Sequence, residues 1–285
     1  MKKAVLANKP LKDLENKSIC LLFYEPSTRT RLSFEQAALK LGATVVTTEN
    51  ARDFSSAAKG ETIIDTMKVV NANHFDAAVM RTDYEGAAKE AASVATIPVI
   101  NAGDGSGQHP TQALLDIATI YERFGKLDNL KIALAGDLLN GRTARSLSYL
   151  LCKFKNNRLF LVAPKAFQMK KDILEYFDEQ KIAYSIHDKL SEVADKADVI
   201  YITRLQTERL KDKGQTVDGN GVRINQEVMA KLKKTSVVMH PLPRSNAFNE
   251  LSDEWINDPR VIVFEQVEHG LYSRMALLKL VLKEG

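Results

Sequence analysis

I-C-L-L-F-Y-E-P-S-T-R-T-R-L-S-F-E, residues 19 to 35, sets the architecture of this chain. A short apolar run has the length of a buried strand, Pro26 breaks it, and helical spacing of apolar residues resumes at Leu32. The same succession repeats almost from end to end. Strands are predicted at Ile19–Tyr24, Thr44–Thr48, Ala77–Arg81, Pro98–Asn101, Lys131–Ala135, Leu159–Ala163, Val199–Thr203, Ser236–Met239 and Val261–Phe264. Helices are predicted near Arg31–Leu41, Glu61–Asn73, Gln112–Phe124, Arg142–Phe154, Asp172–Glu179 and Asn225–Leu232, with a last one from about Leu271 to Lys283. Strand, helix, strand at this spacing means parallel sheets covered on both faces.

Gly125–Asn129 is a polar break that divides the chain into residues 1–125 and 126–265, with 266–285 as a closing helical segment. Each half has the size of one doubly wound sheet, whose ligands bind beyond the carboxyl ends of the strands. The expected fold class is therefore α/β, two doubly wound parallel-sheet domains with an interdomain active-site cleft. Chemistry is expected in the loops that follow strands.

The 285 residues can bury a large core without help from metals or disulfides. Apolar residues at 45% and charged residues at 27% exclude disorder, a collagen-like chain, a coiled coil and a disulfide scaffold. A net charge of +4 is too small and too evenly spread for a nucleic-acid surface. No apolar run approaches ~18 residues, so no membrane span is expected. The basic start M-K-K-A-V-L-A-N-K-P is too short in apolar length for a signal peptide. Cys20 and Cys152 lie in apolar runs and read as buried free thiols of a reducing compartment. The chain is expected to be cytoplasmic.

Ser27, Thr28, Arg29, Thr30 and Arg31 stand where a strand gives way to a helix. Backbone N–H groups, hydroxyls and guanidinium converge there, which is what a phosphate dianion needs. S-S-A-A-K-G-E-T, residues 55 to 62, is a small-residue loop ahead of an amphipathic helix, with Ser55 and Lys59 as its polar candidates. Arg81 closes an apolar strand at the end where ligand groups belong. N-A-G-D-G-S-G-Q-H-P-T-Q, residues 101 to 112, lacks the full G-x-G-x-x-G spacing of a dinucleotide site. It places His109 and Gln112 three apart, on one helix face.

In the second half, D-L-L-N-G-R-T-A-R, residues 137 to 145, follows a strand and puts Arg142 in the first turn of a helix. T-R-L-Q-T-E-R, residues 203 to 209, follows another, and strand periodicity points Arg204 and Gln206 the same way. Arginine forks suit carboxylates; Arg145 and Arg209 read as surface charges. M-H-P-L-P-R, residues 239 to 244, presents backbone carbonyls on a turn stiffened by Pro241 and Pro243.

S-T-R-T-R after a strand resembles the carbamoyl-phosphate loop of the aspartate and ornithine carbamoyltransferases, and H-P-T-Q matches the motif with which that family holds the carbamoyl group. The resemblance runs from about Leu21 to Leu282 through at least six motifs in the family order. Ornithine enzymes carry H-C-L-P where this chain has His240-Pro241-Leu242-Pro243-Arg244, which is similar to the aspartate branch. The segment 266–278 resembles the family's C-terminal helix, which returns to the first domain. Residues 1–125 are thereby identified as a carbamoyl-phosphate-binding domain and 126–265 as an aspartate-binding domain. One departure is that only about 17 residues precede the first strand, whereas the family usually has a further helix upstream. An exposed apolar patch is expected on that face if nothing replaces it.

The resemblance implies that Ser27, Thr28, Arg29, Thr30, Arg81, His109, Gln112, Pro241 and Leu242 bind carbamoyl phosphate. Arg29, Thr30, Arg81 and His109 would be its catalytic members. Ser55 and Lys59 would reach in from a neighbouring subunit, which makes the expected assembly a homotrimer with shared active sites. Aspartate would lie on Lys59, Arg142, Arg204 and Gln206. No metal, cofactor or covalent intermediate is required. The resemblance leaves open regulatory or dihydroorotase partner chains, a different acceptor amine such as ornithine, and a non-catalytic structural homologue. A Rossmann-type oxidoreductase would fit the alternation but needs the glycine spacing missing here.

Overall fold

Side chains of β1 (Ser18–Phe23) alternate between two cores, as the period of two along a strand requires. Ile19, Leu21 and Phe23 join one cluster, and Cys20 and Leu22 join another. The computed structural model describes residues 1–206, 219–245 and 248–283. These residues form two compact units, one of Met1–Leu115 with the chain from Val267 onward, the other of Asp116–Gln266.

The first unit runs α1 (Lys2–Leu6), β1, α2 (Thr28–Lys40), β2 (Thr44–Glu49), α3 (Ala51–Phe54), α4 (Ile63–Ala72), β3 (Ala77–Thr82), α5 (Ala87–Ala92) and β4 (Val99–Asp104). Helix α6 (Pro110–Phe124) leads into the second unit. The sheet is parallel, in the order β2-β1-β3-β4. Helix α2 lays Phe34, Ala37 and Ala38 on the Ile19–Phe23 face, and Met67 and Val70 of α4 lie on the opposite one. Residues 1–17 contribute Leu14 to the core, with Met1, Val5 and Leu11 packed against it, while Leu6 stays exposed. The apolar face expected at this end is therefore partly covered by the chain's own first residues.

The second unit is a parallel sheet in the order β7-β6-β5-β8-β9. Its strands are β5 (Lys131–Ala135), β6 (Arg158–Val162), β7 (Ala183–His187), β8 (Val199–Ile202) and β9 (Val237–Met239). Helices α7 (Arg142–Leu151), α8 (Lys171–Glu179) and α9 (Gln226–Lys231) belong to the same unit. Asn157, buried, accepts from Leu130 N at 2.9 Å and donates to Leu127 O at 3.0 Å, which pins the polar stretch just ahead of β5.

Three sequence expectations are corrected. Val261–Phe264 is not a strand: Val261 makes one isolated parallel bridge to Val238, and α10 (Val263–Lys283) already begins there. An apolar run of four cannot distinguish a strand from the first turn of a helix by periodicity. For the same reason the last helix starts eight residues before Leu271. Helix α2 starts at Thr28 rather than Arg31, because its first turn, Thr28-Arg29-Thr30-Arg31, is polar throughout and so carries no apolar spacing. The edge strand β7, A-Y-S-I-H, is half-exposed and was not anticipated. No helix among the described residues is long and apolar enough to cross a membrane.

Cys20 and Cys152 are buried free thiols, and burial pushes each up to about 11 from 9.0. Below pH 9 both folded and unfolded chains keep these protons. Between pH 9 and about 11 only the folded chain keeps them, so stability falls as pH rises through that window. A chain carrying Cys20→Ala and Cys152→Ala should show a flatter decline of the urea midpoint with pH there. An unchanged slope would place its source elsewhere.

Candidate active site

Parallel strands discharge their loops along one edge, and in each unit the candidate residues gather there. In the first unit β1 pairs with β3 so that Phe23 lies opposite Arg81, and Tyr24 N donates to Arg81 O at 2.8 Å. This register sets the Ser27–Thr30 loop beside Arg81. Ser27 occupies the N-cap position of α2 in extended backbone, φ −158°, and its side chain makes no cap bond. The first-turn N–H groups are thus not occupied by their usual side-chain acceptor.

Arg29 is exposed, and among the described residues no carboxylate pairs with it. Protein atoms still crowd its guanidinium enough for desolvation to lower its pKa. Thr30 is buried, with Oγ1 3.5 Å from His109 Nε2, at the long limit of a hydrogen bond. Arg81 donates from Nε to Glu25 Oε2 at 3.0 Å. Glu25 lies inside the quoted F-Y-E-P-S-T-R-T-R run, yet sequence reasoning gave it no role.

His109 and Gln112, both buried, open α6 under the control of Asp104. Its carboxylate accepts from Gln108 N at 2.8 Å and Gly86 N at 3.0 Å. Gly105, at φ +48°, must be glycine, since a Cβ would stand 2.8 Å from the Tyr84 backbone. Asp104 appeared in the glycine-rich run only as a spacer, and its buried position is what fixes the histidine.

Ser55 caps a 3-10 turn (Ser56–Lys59), accepting from Ala57 N at 3.1 Å, and Lys59 is exposed. Arg52 pairs with Asp83 at 2.9 Å, holding α3 near the end of β3. No hydrogen bond or ion pair among the described residues joins Ser55 or Lys59 to the Ser27–Thr30, Arg81 and His109 group. The structure of one chain leaves these two residues apart from the rest.

In the second unit the neighbours β5, β8 and β9 present Arg142, Arg204 with Gln206, and Pro241 with Leu242. Arg204 and Gln206 are half-exposed on either side of the buried Leu205, the alternation expected from an extended chain. Asp137, fully buried, ties the two loops together. Its N–H donates to Thr203 Oγ1 at 3.1 Å, and its carboxylate accepts from Asn140 N at 2.8 Å and Gln206 N at 3.4 Å. Gly136, at φ +103°, allows this approach, because a Cβ there would fall 2.0 Å from Thr203 O. Arg145 pairs with Asp172 and holds that carboxyl below the usual range. Arg209 lies outside the described residues.

The loop after β9 is held from beneath. His240 Nε2 lies 3.0 Å from Glu250 Oε1, both buried, and Leu242 N donates to His240 Nδ1 at 2.8 Å. Leu242 has φ +59°, and the Leu242–Pro243 peptide is cis. Glu250 gave no signal in the sequence, being ten residues downstream of its partner.

The first unit thus brings hydroxyls and a guanidinium to the start of α2, with the buried His109 reaching Thr30, and the second unit carries a further set of cationic side chains in loops after its strands. The sequence profile described as "Aspartate/ornithine carbamoyltransferase, carbamoyl-P binding domain" matches residues 1–122, and "Aspartate/ornithine carbamoyltransferase, Asp/Orn binding domain" matches 128–281. A chloroplastic aspartate carbamoyltransferase 1 of Pisum sativum is 52% identical over 264 residues, covering 92% of this chain and 67% of that protein. The aspartate carbamoyltransferase catalytic subunit of Photobacterium profundum is 43% identical, over 95% of this chain and 87% of its own length. A solved structure of aspartate transcarbamoylase from Trypanosoma cruzi, in complex with carbamoyl aspartate and phosphate, superposes with a TM-score of 0.89. It is 40% identical and covers 99% of this chain and 88% of that one.

These relatives overturn the expectation of a cytoplasmic chain. The pea protein is chloroplastic, as are further plant relatives of similar identity. Buried thiols and the lack of a long apolar run speak to redox conditions and to helical spans, and neither property separates one reducing compartment from another.

Proposed function

This chain belongs to the aspartate/ornithine carbamoyltransferase family, and from that premise we propose how its residues move a carbamoyl group from carbamoyl phosphate to L-aspartate. The chain is a carbamoyltransferase that forms N-carbamoyl-L-aspartate and phosphate. Residues 1–125 serve carbamoyl phosphate and residues 126–265 serve aspartate, with 266–285 as the closing helix. The phosphate lies on the N–H groups and hydroxyls of Ser27, Thr28 and Thr30 with the Arg29 fork. Arg81 joins it, exchanging part of its pairing with Glu25 for the ligand. Thr30, Arg81 and His109 face the carbamoyl oxygen and stabilise the negative charge that grows there, while Gln112 and the carbonyls of Pro241 and Leu242 hold the carbamoyl amine.

Aspartate's carboxylates pair with Arg142 and Arg204, with Gln206 beside them. Its uncharged amine attacks the carbamoyl carbon, a C–N bond forms, and the C–O bond to phosphate breaks. The departing phosphate takes the proton. Positioning supplies much of the rate, up to ~7–11 kcal/mol in well-aligned cases. Ser55 and Lys59 act from a neighbouring copy in a homotrimer, which accounts for their separation from the other residues within one chain. The product stands at the first committed carbamoyl transfer toward pyrimidines.

The observation that carries this reading is the alternation of Arg204, buried Leu205 and Gln206 at the end of β8, tied by Asp137 to the loop that bears Arg142. Two arginines there suit a dicarboxylate and repel the cationic side chain of ornithine. With carbamoyl phosphate present, aspartate is expected to give product and ornithine none. Arg204→Ala should raise the aspartate KM by roughly 10- to 150-fold, the worth of about 1.5–3 kcal/mol for a charged hydrogen bond. An unchanged aspartate KM would remove Arg204 from the site.

A further inference from the structure

The strand β9 ends in a buried imidazole whose two nitrogens are both committed. Leu242 N–H donates to His240 Nδ1 at 2.8 Å, so Nδ1 carries no proton. The proton is therefore on Nε2, which donates to the Glu250 carboxylate at 3.0 Å. The same carboxylate oxygen accepts from Ser245 N at 2.8 Å, and its partner oxygen, Oε2, is buried without a hydrogen bond among the described residues. At the root of the loop His240 N donates to Gln266 Oε1 at 2.9 Å, and Gln266 Nε2 donates to Asp116 Oδ1 at 2.7 Å.

The geometry of the peptide plane gives this arrangement a consequence. The Pro241–Leu242 peptide is planar, so its carbonyl points opposite to the Leu242 N–H. Fixing that N–H on a buried ring turns the Pro241 carbonyl away from the core. Leu242 itself is held at φ +59°, a left-handed conformation that costs a side-chain-bearing residue about 1–3 kcal/mol unless its surroundings enforce it. A buried carboxylate is a costly way to pack a loop; apolar residues would do so more cheaply.

We propose that His240 and Glu250 are positioning residues for the transfer: through the Leu242 N–H they aim the Pro241 and Leu242 carbonyls at the carbamoyl amine. The proposal rests on the reading above that these carbonyls meet the carbamoyl amine, and it assigns the dyad a part in turnover rather than in phosphate binding.

The test compares the full-length chain with Glu250→Ala, Glu250→Gln, His240→Asn and Arg204→Ala. For each, kcat, both KM values, the inhibition constant of inorganic phosphate and the unfolding midpoint are measured. Glu250→Ala should lower kcat by roughly tenfold to a hundredfold, the scale of a misplacement of about 1 Å, with the phosphate constant unchanged. Glu250→Gln should recover kcat to within about threefold, because its amide oxygen accepts the same two N–H groups. His240→Asn keeps an acceptor near the Nδ1 position but loses Glu250, and should fall between them; it carries the test if Glu250→Ala does not fold. The proposal is overturned if kcat is unaffected in these variants, if Glu250→Gln is as damaged as Glu250→Ala, or if phosphate binding declines in step with kcat. The Arg204→Ala arm separates two failures. If it impairs aspartate use while Glu250→Ala and His240→Asn are silent, only the dyad fails. If it leaves aspartate use intact, the assignment of the aspartate site fails first.

Discussion

Arg29→Ala is expected to lower kcat/KM for carbamoyl phosphate by roughly two to three orders of magnitude, the scale of losing a charged donor aimed at the reacting group. The unfolding midpoint should not change. Arg29 is exposed and pairs with no carboxylate among the described residues, so truncating it leaves no buried partner unsatisfied. His109→Ala should cost turnover on a similar scale, but with a loss of stability, because His109 is buried against Thr30 and its replacement leaves a cavity. The contrast between the two variants distinguishes a residue kept for the ligand from one that also supports the fold. Full activity in Arg29→Ala would end the phosphate-loop assignment.

Gly136→Ala should strongly destabilise the second unit. The added carbon would sit 2.0 Å from Thr203 O, a backbone atom that cannot swing aside, at φ +103°. Conformational strain and overpacking each cost about 1–3 kcal/mol. Their sum is of the order of the whole stability of a marginal domain. The shift would also part the Asp137 loop from residues 203–206, so whatever folds should use aspartate poorly. The check is a urea midpoint with aspartate kinetics on the folded fraction. A midpoint equal to wild type would mean that β5 and β8 can separate at their ends without cost.

The alternation of apolar strands and helices was legible because burial on both faces of a parallel sheet imposes it residue by residue. The loops were legible because Ser27–Arg31, His109 and Arg204 each follow a strand and Arg81 stands at the end of one. What escaped has physical reasons. β7 is an edge strand whose half-exposed side chains carry no burial signal. Val261, Ile262 and Val263 are buried where a half-buried helix begins, and four residues hold less than one and a half turns. Asp104, Asp137 and Glu250 were silent because a buried carboxylate reads in sequence like any surface acid. Its meaning comes from N–H groups brought to it by other elements, such as Gly86, Gln206 and Ser245.

The first unit is assembled from two distant stretches of chain, for Met275 and Leu278 complete a core begun by Leu14, Ile19 and Phe34. On the ribosome this inverts the usual order of maturation. The second unit is one continuous stretch, Asp116–Gln266, and can close as soon as its last residues emerge. The first, although synthesised earlier, must wait for the final helix. At about 5–20 residues per second that wait is roughly 10–30 s after Leu115 is made. For that interval the Leu14–Phe34 face is an unsealed apolar surface on a nascent chain. Chaperone demand should therefore be set by the amino-terminal half and relieved by the carboxyl-terminal one.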